Sequence, residues 1–491
     1  MLFCLTDAYP EAYERHYAFM LEGLAEVAAD LRERGIRFAV VRGEAPGPIV
    51  AASRQAGCVV TDCGYTRLLR LWRQRLGEQA PVAVFEVEGE VVVPSKLLTD
   101  RHDSVAATFR PRLARLVKQY LVDVVAHPVS IKSLELDPLL VLGSNDTPAV
   151  LLDLDAGVQS VLGALSVDRS VPRVCAGGDA ADEALRGGAR EAKRHLQRFF
   201  SSAEGVAEPA IEDYAVKRNN MCLRKQSHLS PYLHFGHISV VAVALQAQAF
   251  AASHPRHERN VHVFWDELVI RREFAVHFVL KHPKDYDIPR CLPAWALAGL
   301  REHEGDTRPR IYTAEQMEKG KTDDAYWNAA QLEMVITGKM HNYLRMYWAK
   351  QVIKWTQSVD QAYAFVLHQN NKWELDGRGP NGFAGVAWCF GHADTPFPDR
   401  PIYGPVRCMT ASGLEKKFEK SSIERYVKRI LALRKEVKGG LPAPLAFARL
   451  SAVSNFFQRT GPHTPAAAIT AGVLPLSPSA FSAFLPRIPA P

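Results

Sequence analysis

The sequence predicts a chain of two structural classes, an N-terminal α/β part with a doubly wound parallel sheet and an all-α C-terminal part. Three observations predict this arrangement. Short apolar strands alternate with amphipathic helices over residues 1–120, as they do when helices cover both faces of a parallel sheet. Long segments of helical periodicity dominate from residue 183 onward. The 491 residues, of which 47% are hydrophobic and 23% charged, have room for two or three ordinary globular domains.

The N-terminal elements follow one another in a βα rhythm. Apolar strands are predicted at residues 2–5, 36–41, 58–62 and 82–88. Helices are predicted at 11–34, 48–57 and 65–76, and Gly35 stands where a helix commonly ends in glycine. Neither a G-x-G-x-x-G motif nor a Walker loop follows any strand, so the common nucleotide-binding fingerprints are absent from this part.

The rest of the chain divides by composition. Proline, glycine, aspartate and small residues dominate 121–182, which predicts a long connection between domains. Residues 183–440 are predicted to form the helical domain. Residues 441–491 are rich in proline, alanine and serine and predict a flexible tail.

Several classes of protein are disfavoured by composition. No apolar run reaches the ~20 residues of a membrane span, and the N-terminus lacks the basic and apolar regions of a signal peptide. The eight cysteines are scattered without a C-x-x-C pair, which favours reduced thiols over a zinc ribbon or a disulfide framework. His254, His257 and His262 lie in a polar segment without acidic or thiol companions, so we expect no metal site. The net charge of +7 permits nucleic-acid binding without requiring it.

The first candidate for a binding site is the segment 226–239. Ser230 has the side chain of a helix N-cap, and Pro231 suits the first helical turn. A helix start offers free N–H groups and the positive end of the helix dipole, so it can hold a phosphate, with Ser227 as a further donor. The alternative is an ordinary capped helix.

The second candidate is the helix predicted at 339–356. Trp348 and Trp355 lie two turns apart and share one face, while Asn342 and Arg345 lie on a polar stripe beside them. Trp327 precedes them in a helix of its own. Tryptophan stripes usually pack in a core, but burying an arginine and an asparagine beside them is costly without a partner. The helix therefore favours a bound polar ligand.

The third candidate is the segment 370–388. Its glycines allow the backbone to approach a flat ligand closely, although a glycine-rich loop between helices is the equally plain alternative. Asp376 is expected to pair with Arg345, and Asn370 and Asn381 each offer a donor and an acceptor.

The long motifs of these segments resemble those of one family. The chain contains SHLSPYLHFGHIS, FWDELVIRREF, TDDAYWNAAQLEMVITGKMHNYLRMYWAKQVIKW and NNKWELDGRGPNGFAGVAWCFG, and near its start RHYAFMLEGL, TDCGY and ATFRPRL. Over roughly residues 1–440 they resemble class II cyclobutane pyrimidine dimer photolyases of the photolyase/cryptochrome family. The resemblance implies an α/β domain, here 1–120, a linker over 121–182 and a helical FAD-binding domain over 183–440. It also implies that the chain opens at the family's second strand, without the first βα unit, and that 441–491 has no family counterpart.

The resemblance assigns roles to individual residues. It implies FAD, active in its reduced form FADH⁻, held by Tyr214, Ser227, Leu229, Ser230, Arg345, Asn370, Asp376 and Asn381. Either Asn370, which we favour, or Asn381 would face the flavin N5 edge. The implied catalytic residues are Glu267, Asn342 and Trp388 at the flipped dimer, and Trp327, Trp348 and Trp355 as an electron-transfer chain. Arg218 is expected near DNA, and Arg407 is expected to fill the gap left in the duplex. Where some photolyases have a second dimer-stacking tryptophan, this chain has Ile270 and Arg271, with Trp265 as a substitute.

The function implied by the resemblance is light-driven repair of pyrimidine dimers in double-stranded DNA by electron transfer from FADH⁻. The alternatives are a cryptochrome-like blue-light photoreceptor and a non-catalytic DNA-binding module. We further expect a monomer without metal or membrane association, in the cytoplasm with the nucleoid, or in the nucleus of a eukaryote. A deazaflavin or folate antenna chromophore is compatible with the family but is not indicated by a particular residue.

Overall fold

The N-terminal part contains four short parallel strands, which are divided between two small sheets. In this computed structural model β1 (Leu2–Leu5) pairs in parallel with β2 (Ala39–Arg42), and β3 (Cys58–Asp62) pairs in parallel with β4 (Ala83–Val87). The structure describes residues 1–124, 127–137, 150–171, 173, 185–201, 209–223 and 225–436. The helices between and after the strands are α1 (Glu14–Glu33), α2 (Gly47–Ser53), α3 (Arg67–Gln79) and α4 (Ala106–Tyr120).

The two sheets differ from the single doubly wound sheet that the sequence predicts. Among the described residues no ladder joins the β1–β2 pair to the β3–β4 pair, so each pair stays a separate sheet. The second sheet is largely exposed: Val60 and Phe85, which face each other in the register, are both exposed. The class itself, α/β followed by all-α, is confirmed.

The segment 121–182, expected as a linker, adds structure to the first sheet where it is described. β5 (Val150–Leu152) pairs antiparallel with β2 and extends the sheet to the order β1–β2–β5. α5 (Val158–Ala164) packs against α1 in the core beneath this sheet. The proposed tail, 441–491, lies outside the described residues.

The C-terminal part is helical. In chain order its helices are α6 (Ala189–Phe200), α7 (Tyr214–Lys217), α8 (Ser230–His234), α9 (Val240–Ser253), α10 (Glu258–Trp265), α11 (Arg272–Lys281), α12 (Ala294–Glu302), α13 (Ala314–Glu318), α14 (Ala325–Thr337), α15 (Asn342–Trp355), α16 (Val359–Trp373), α17 (Pro380–Cys389), α18 (Ala411–Phe418) and α19 (Lys420–Glu436). One core surrounds the tryptophans of α14 and α15, and a second lies between α4, α6, α9 and α11. α4 thus shares its core with the helical part. None of the described helices is long and apolar enough to cross a membrane.

Helix α1 fixes the end of α16, where the candidate site begins. The buried Arg15 guanidinium donates to the carbonyl oxygens of Trp373 and Val335 at 2.9 and 2.8 Å. His16, one residue further, lies 3.2 Å from the carbonyl oxygen of Glu374 through its Nε2. These contacts satisfy carbonyl groups at helix ends that have no partner within their own helix, and so they hold the two parts of the chain in register.

Candidate functional site

A buried cluster of charges lies where α15 begins and α16 ends. His341 caps α15 by accepting a hydrogen bond from the Tyr343 N–H, which places Arg345 in the first turn. The Arg345 guanidinium lies 3.0 Å from a carboxylate oxygen of Glu374 and 4.0 Å from one of Asp376. The sequence predicted the partner Asp376; the nearer partner, Glu374, was missed, although it stands only two residues before Asp376 in the same motif.

The two carboxyl groups of this cluster titrate differently. Burial raises the pKa of Glu374, which is 1% exposed, to about 8 against the opposing effect of Arg345. Burial also pushes the pKa of Asp376 upward, but the charge of Arg345 and a hydrogen bond from Ser230 outweigh it, and the pKa stays below its usual value. The cluster therefore keeps one carboxylate charged beside the arginine at neutral pH.

Helix α8 approaches this cluster with its N-terminal end. The sequence predicted Ser230 as the N-cap; this is wrong by one residue, because Leu229 is the N-cap and Ser230 is the first helical residue. The physical reason is that the Ser230 hydroxyl binds Asp376 instead of the helix backbone. Leu229 is buried, and Ser227 is half-buried in the extended segment before the helix.

A lysine stands beside this helix start. The Lys339 ammonium lies 2.8 Å from Nδ1 of His228, in the segment that leads into α8. Burial lowers the pKa of Lys339 to about 8. The start of α8 is thus accompanied by a cationic side chain that the sequence analysis did not single out.

The residues present fit a large polar cofactor with a ring that carries negative charge. Nε of Arg345 and Oε2 of Glu374 are buried and have no hydrogen-bond partner among the described residues. Such atoms are costly unless a further group satisfies them. A cation beside the ring and hydroxyl and N–H donors at a helix start are the groups that a reduced dinucleotide flavin requires.

The two candidate asparagines occupy different environments at the start of α17. Asn370 is 3% exposed, and its amide nitrogen donates to Oδ1 of Asn371 at 3.2 Å. It also lies so close to Gly382 that a Cβ there would come within 2.9 Å of the Asn370 amide nitrogen. Asn381 is exposed in the first turn of α17. The glycine-rich segment is therefore not only a loop, because its second half is this helix.

An acid, an arginine and an aromatic ring meet where α7 and α10 pack together. Glu267 lies in a π-helical turn, Asp266–Arg271, between α10 and α11. Its Oε1 accepts a hydrogen bond from the Arg218 guanidinium at 2.5 Å, and Arg218 in turn lies 5.8 Å from the ring centre of Tyr214. π-Helical turns are frequent at functional sites, because the inserted residue redirects side chains. Three residues that the resemblance assigned separately are thus brought together.

Trp388 presents its ring at the surface nearby. It is 36% exposed near the end of α17, and the Arg271 guanidinium lies 4.8 Å from its ring centre. Ile270, in contrast, is buried, so Arg271 and not Ile270 accompanies the exposed indole. Trp265 is half-buried, with an indole N–H that has no partner among the described residues.

The remaining two predicted residues, Asn342 and Arg407, are exposed. Asn342 is the first residue of α15, one turn before Arg345. Arg407 follows a tight reversal in which Arg400 and Gly404 exchange backbone hydrogen bonds, and its guanidinium lies 5.7 Å from the ring centre of Phe397. No described hydrogen bond or ion pair joins either residue to Glu267 or Trp388.

Three tryptophans form a continuous ladder inside the larger core. The Trp348 and Trp327 ring centres are 6.1 Å apart and nearly parallel, and Trp327 and Trp355 are 5.2 Å apart and edge to face. The spatial order is therefore Trp348, Trp327, Trp355, with the residue from α14 between the two from α15. The sequence predicted all three residues, but their order depends on how α14 packs on α15. The described residues contain no group of histidine, cysteine or acidic side chains able to hold a metal ion.

Comparison with known proteins shows which proteins this chain resembles. The family model for DNA photolyase matches residues 1–130. Deoxyribodipyrimidine photo-lyase of Methanothermobacter thermautotrophicus is 36% identical over 89% of this chain and 88% of its own length. The Arabidopsis thaliana enzyme of the same name is 31% identical over 89% and 84%.

The fold is shared with solved structures of low sequence identity. A class III photolyase from Agrobacterium tumefaciens is 18% identical, with a TM-score of 0.61 over 93% of this chain and 91% of its own. A cryptochrome from Synechocystis is 14% identical, with a TM-score of 0.62 over 92% and 87%. An archaeal photolyase from Sulfolobus tokodaii that contains two FAD molecules is 18% identical, with a TM-score of 0.55 over 94% and 93%. From its relatives and its fold, this chain belongs to the photolyase/cryptochrome family.

Proposed function

We propose that this chain repairs cyclobutane pyrimidine dimers in DNA with light, as a class II photolyase. The main observation behind this proposal is that Glu267 and Trp388, the residues assigned to the dimer, are both partly exposed and are linked through one π-helical turn. Glu267 belongs to this turn and pairs with Arg218, and Arg271 of the same turn lies beside the Trp388 ring. Relatives named deoxyribodipyrimidine photo-lyase over most of the chain support the activity. The proposed assignment to class II rests on the long sequence motifs of the helical part.

The buried charge cluster and the start of α8 form the proposed FAD site. When bound, reduced FAD supplies the photoexcited electron that splits the dimer. Arg345 balances the negative charge of the reduced ring, and Ser227, Leu229 and Ser230 hold the diphosphate at the helix start. Asp376 fixes both groups, because it contacts Arg345 and accepts the hydrogen bond from Ser230.

Of the two candidate asparagines, we now favour Asn381 to face the flavin. Its amide is exposed in the first turn of α17, whereas the Asn370 amide is buried against Gly382 and is bonded to Asn371. Asn370 then acts by positioning the first turn of α17. This reverses the preference from the sequence, because spacing alone cannot show which of two amides is already satisfied within the protein.

Glu267 and Trp388 form the proposed dimer pocket. A dimer is poorly stacked and paired in the duplex, so turning it out costs less than flipping an intact pair. Trp388 offers an exposed indole for stacking, while Arg218 holds one oxygen of Glu267 and leaves the other directed to hydrogen bonding with the pyrimidines. Asn342 borders this pocket, and Arg407 enters the gap in the duplex. We propose that the chain acts as a monomer on double-stranded DNA.

Repair per absorbed photon tests this function. The full-length protein is loaded with FAD, reduced, mixed with an oligonucleotide that contains one dimer and exposed to blue light. We expect dimers to disappear, and the yield to fall in Glu267→Gln without loss of flavin. Glu258→Gln, an exposed glutamate of α10, is the matched control and should repair normally.

Two other outcomes would overturn the proposal. Bound flavin without repair would favour the photoreceptor, which keeps the flavin and the tryptophan ladder. Tight binding to damaged DNA without any flavin would favour the DNA-binding module.

A further inference from the structure

A surface cleft lies at the outer end of the tryptophan ladder. Its volume is about 640 Å³, and Tyr312, Tyr326, Gln351, Trp355, Ala411 and Lys428 are among the residues that line it. None of its lining residues belongs to the charge cluster around Arg345 or to the surface around Trp388. The proposed function leaves this cleft without a role.

Three aromatic side chains form the walls of the cleft. Tyr312 meets Trp355 edge to face, with ring centres 5.0 Å apart. Tyr326 is held in place because its hydroxyl donates to Glu415 at 2.6 Å. Aromatic walls of this kind favour a planar ring, which can stack or meet an edge without losing much conformational freedom.

The rim of the cleft is polar and nearly neutral. Arg310 and Asp323 form an ion pair at 2.7 Å, and Lys354, Glu424 and Lys428 stand around the opening. Such a rim offers both hydrogen-bond donors and hydrogen-bond acceptors, and its charges nearly cancel, so it does not select a strongly charged ligand. The combination fits a small uncharged ring that carries hydroxyl groups.

Trp355 is the ladder residue that the cleft exposes to a ligand. It is only 5% exposed, and Trp327 and Trp348 behind it are fully buried. The cleft therefore gives a donor in solution an approach to the outer end of the ladder. We propose that this cleft binds a small dihydroxyarene, of the hydroquinone type, that returns one electron to Trp355 after light has oxidised the ladder. The proposal rests on the electron-transfer role of the ladder in the proposed function.

The step balances in electrons and protons. The oxidised Trp355 side chain, a radical cation, gains one electron and becomes neutral indole. The dihydroxyarene loses that electron and one phenolic proton and leaves as a neutral aryloxyl radical. The proton passes to water or to the exposed Glu424 carboxylate on the rim.

Kinetics on the unmodified FAD-loaded chain provide the first test, with hydroquinone as the probe. After a flash, the decay rate of the tryptophan radical should rise with hydroquinone concentration and then saturate. Benzamide, a planar ring that is hard to oxidise, should compete for the same cleft and raise the half-saturating concentration. A linear response to hydroquinone, or no effect of benzamide, would overturn the proposal.

A pair of neighbouring variants provides the second test. Ala411→Trp fills the cleft from the first turn of α18, whereas Ser412→Trp adds the same ring at an exposed position outside it. We expect the half-saturating concentration to rise about tenfold or more in the first variant, since a ligand ring and the new indole compete for one space. The second variant should behave as the unmodified chain, and equal effects of the two would refute the assignment.

Binding can also be measured without flavin or light. Saturation-transfer NMR of benzamide with the full chain should show a signal that Ala411→Trp removes and Ser412→Trp keeps. This signal would survive even if repair activity were absent, so failure of the proposed function is seen separately. Normal repair without such a signal would refute ligand binding in the cleft and leave the proposed repair function intact.

Discussion

The buried carboxyl group of Glu273 should contribute less to the stability of this protein as pH rises. Glu273 lies in the first turn of α11 and is 3% exposed. The backbone N–H groups of Val92 and Val93 donate to its Oε1 at 2.7 and 3.3 Å, which ties the segment after β4 to the helix that follows Glu267. Burial raises its pKa to about 8 despite these hydrogen bonds.

The magnitude follows from the two pKa values. The folded chain holds this proton until about pH 8, whereas in the unfolded chain the group titrates near 4.5. The contribution of Glu273 to stability is therefore greatest below pH 4.5 and decreases as pH rises towards 8. The total loss is about 5 kcal/mol, of which about 3 kcal/mol is lost by pH 7, at about 1.4 kcal/mol for each pH unit.

Glu273→Gln isolates this contribution, because glutamine stays neutral and its amide oxygen can still accept the Val92 N–H. Urea unfolding of both proteins between pH 5 and pH 8 gives the difference between their free energies of unfolding. We expect this difference to shift in favour of the variant by about 3 kcal/mol or more across that range. The exposed Glu258→Gln should show no such trend. A difference that is constant with pH would refute the reasoning.

Three further variants test the site. Trp327→Phe removes the middle of the ladder and leaves Trp348 and Trp355 two turns, about 10 Å, apart along α15. Light-driven reduction of oxidised flavin should then nearly vanish, while repair by chemically reduced protein should persist. Unchanged bleaching of the flavin absorption band would contradict this route. Arg345→Leu leaves the buried Asp376 carboxylate without its cation and should lower the free energy of unfolding in urea by about 3–5 kcal/mol. The loss should be smaller in a double variant with Asp376→Asn, and equal losses would argue against their coupling. Arg407→Ala should reduce the slope of log affinity against log salt for dimer DNA by about 1 in fluorescence anisotropy, and an unchanged slope would exclude a phosphate contact.

Much of the fold was predictable because periodicity is a local property. The strands at 2–5 and 58–62 were predicted with their observed bounds, and α1 was predicted within three residues at each end. Division into two sheets was not predictable, since pairing depends on residues distant in sequence. β5 was missed because three residues within a segment rich in proline and glycine give no alternation to detect.

The candidate site was predictable where a charged side chain on an apolar helix requires a partner of opposite charge. An arginine on an apolar helix requires a counterion, and the pairing of Arg345 with Asp376 follows from that requirement. Glu374 was missed because sequence alone does not show which of two nearby carboxylates turns inward. The same uncertainty led to the preference for Asn370, whose burial only the packing of Gly382 reveals.

The ladder shows a further limit of spacing arguments. Trp348 is the ladder member at the end away from the cleft, and its indole N–H donates to the side-chain oxygen of Gln331 at 2.9 Å. The indole N–H of Trp327 donates to the backbone carbonyl of Trp348 at the same distance. Both acceptor oxygens place partial negative charge next to an indole ring. In the proposed electron transfer that ring briefly carries a positive charge, so the acceptors stabilise its oxidised state.

Trp373 is also buried in the same core, and its indole N–H likewise donates to a side-chain oxygen, that of Gln369 at 3.0 Å, but cations lie over its ring. The Arg15 guanidinium lies 5.2 Å from its ring centre and the Lys372 ammonium lies 4.9 Å from it. Two cations over one π system stabilise the neutral ring and oppose the removal of an electron from it. A positive charge created on Trp348 is therefore favoured to move towards the surface through the ladder and disfavoured from moving to Trp373. Placement of charge therefore favours the proposed route through the ladder over a route through Trp373.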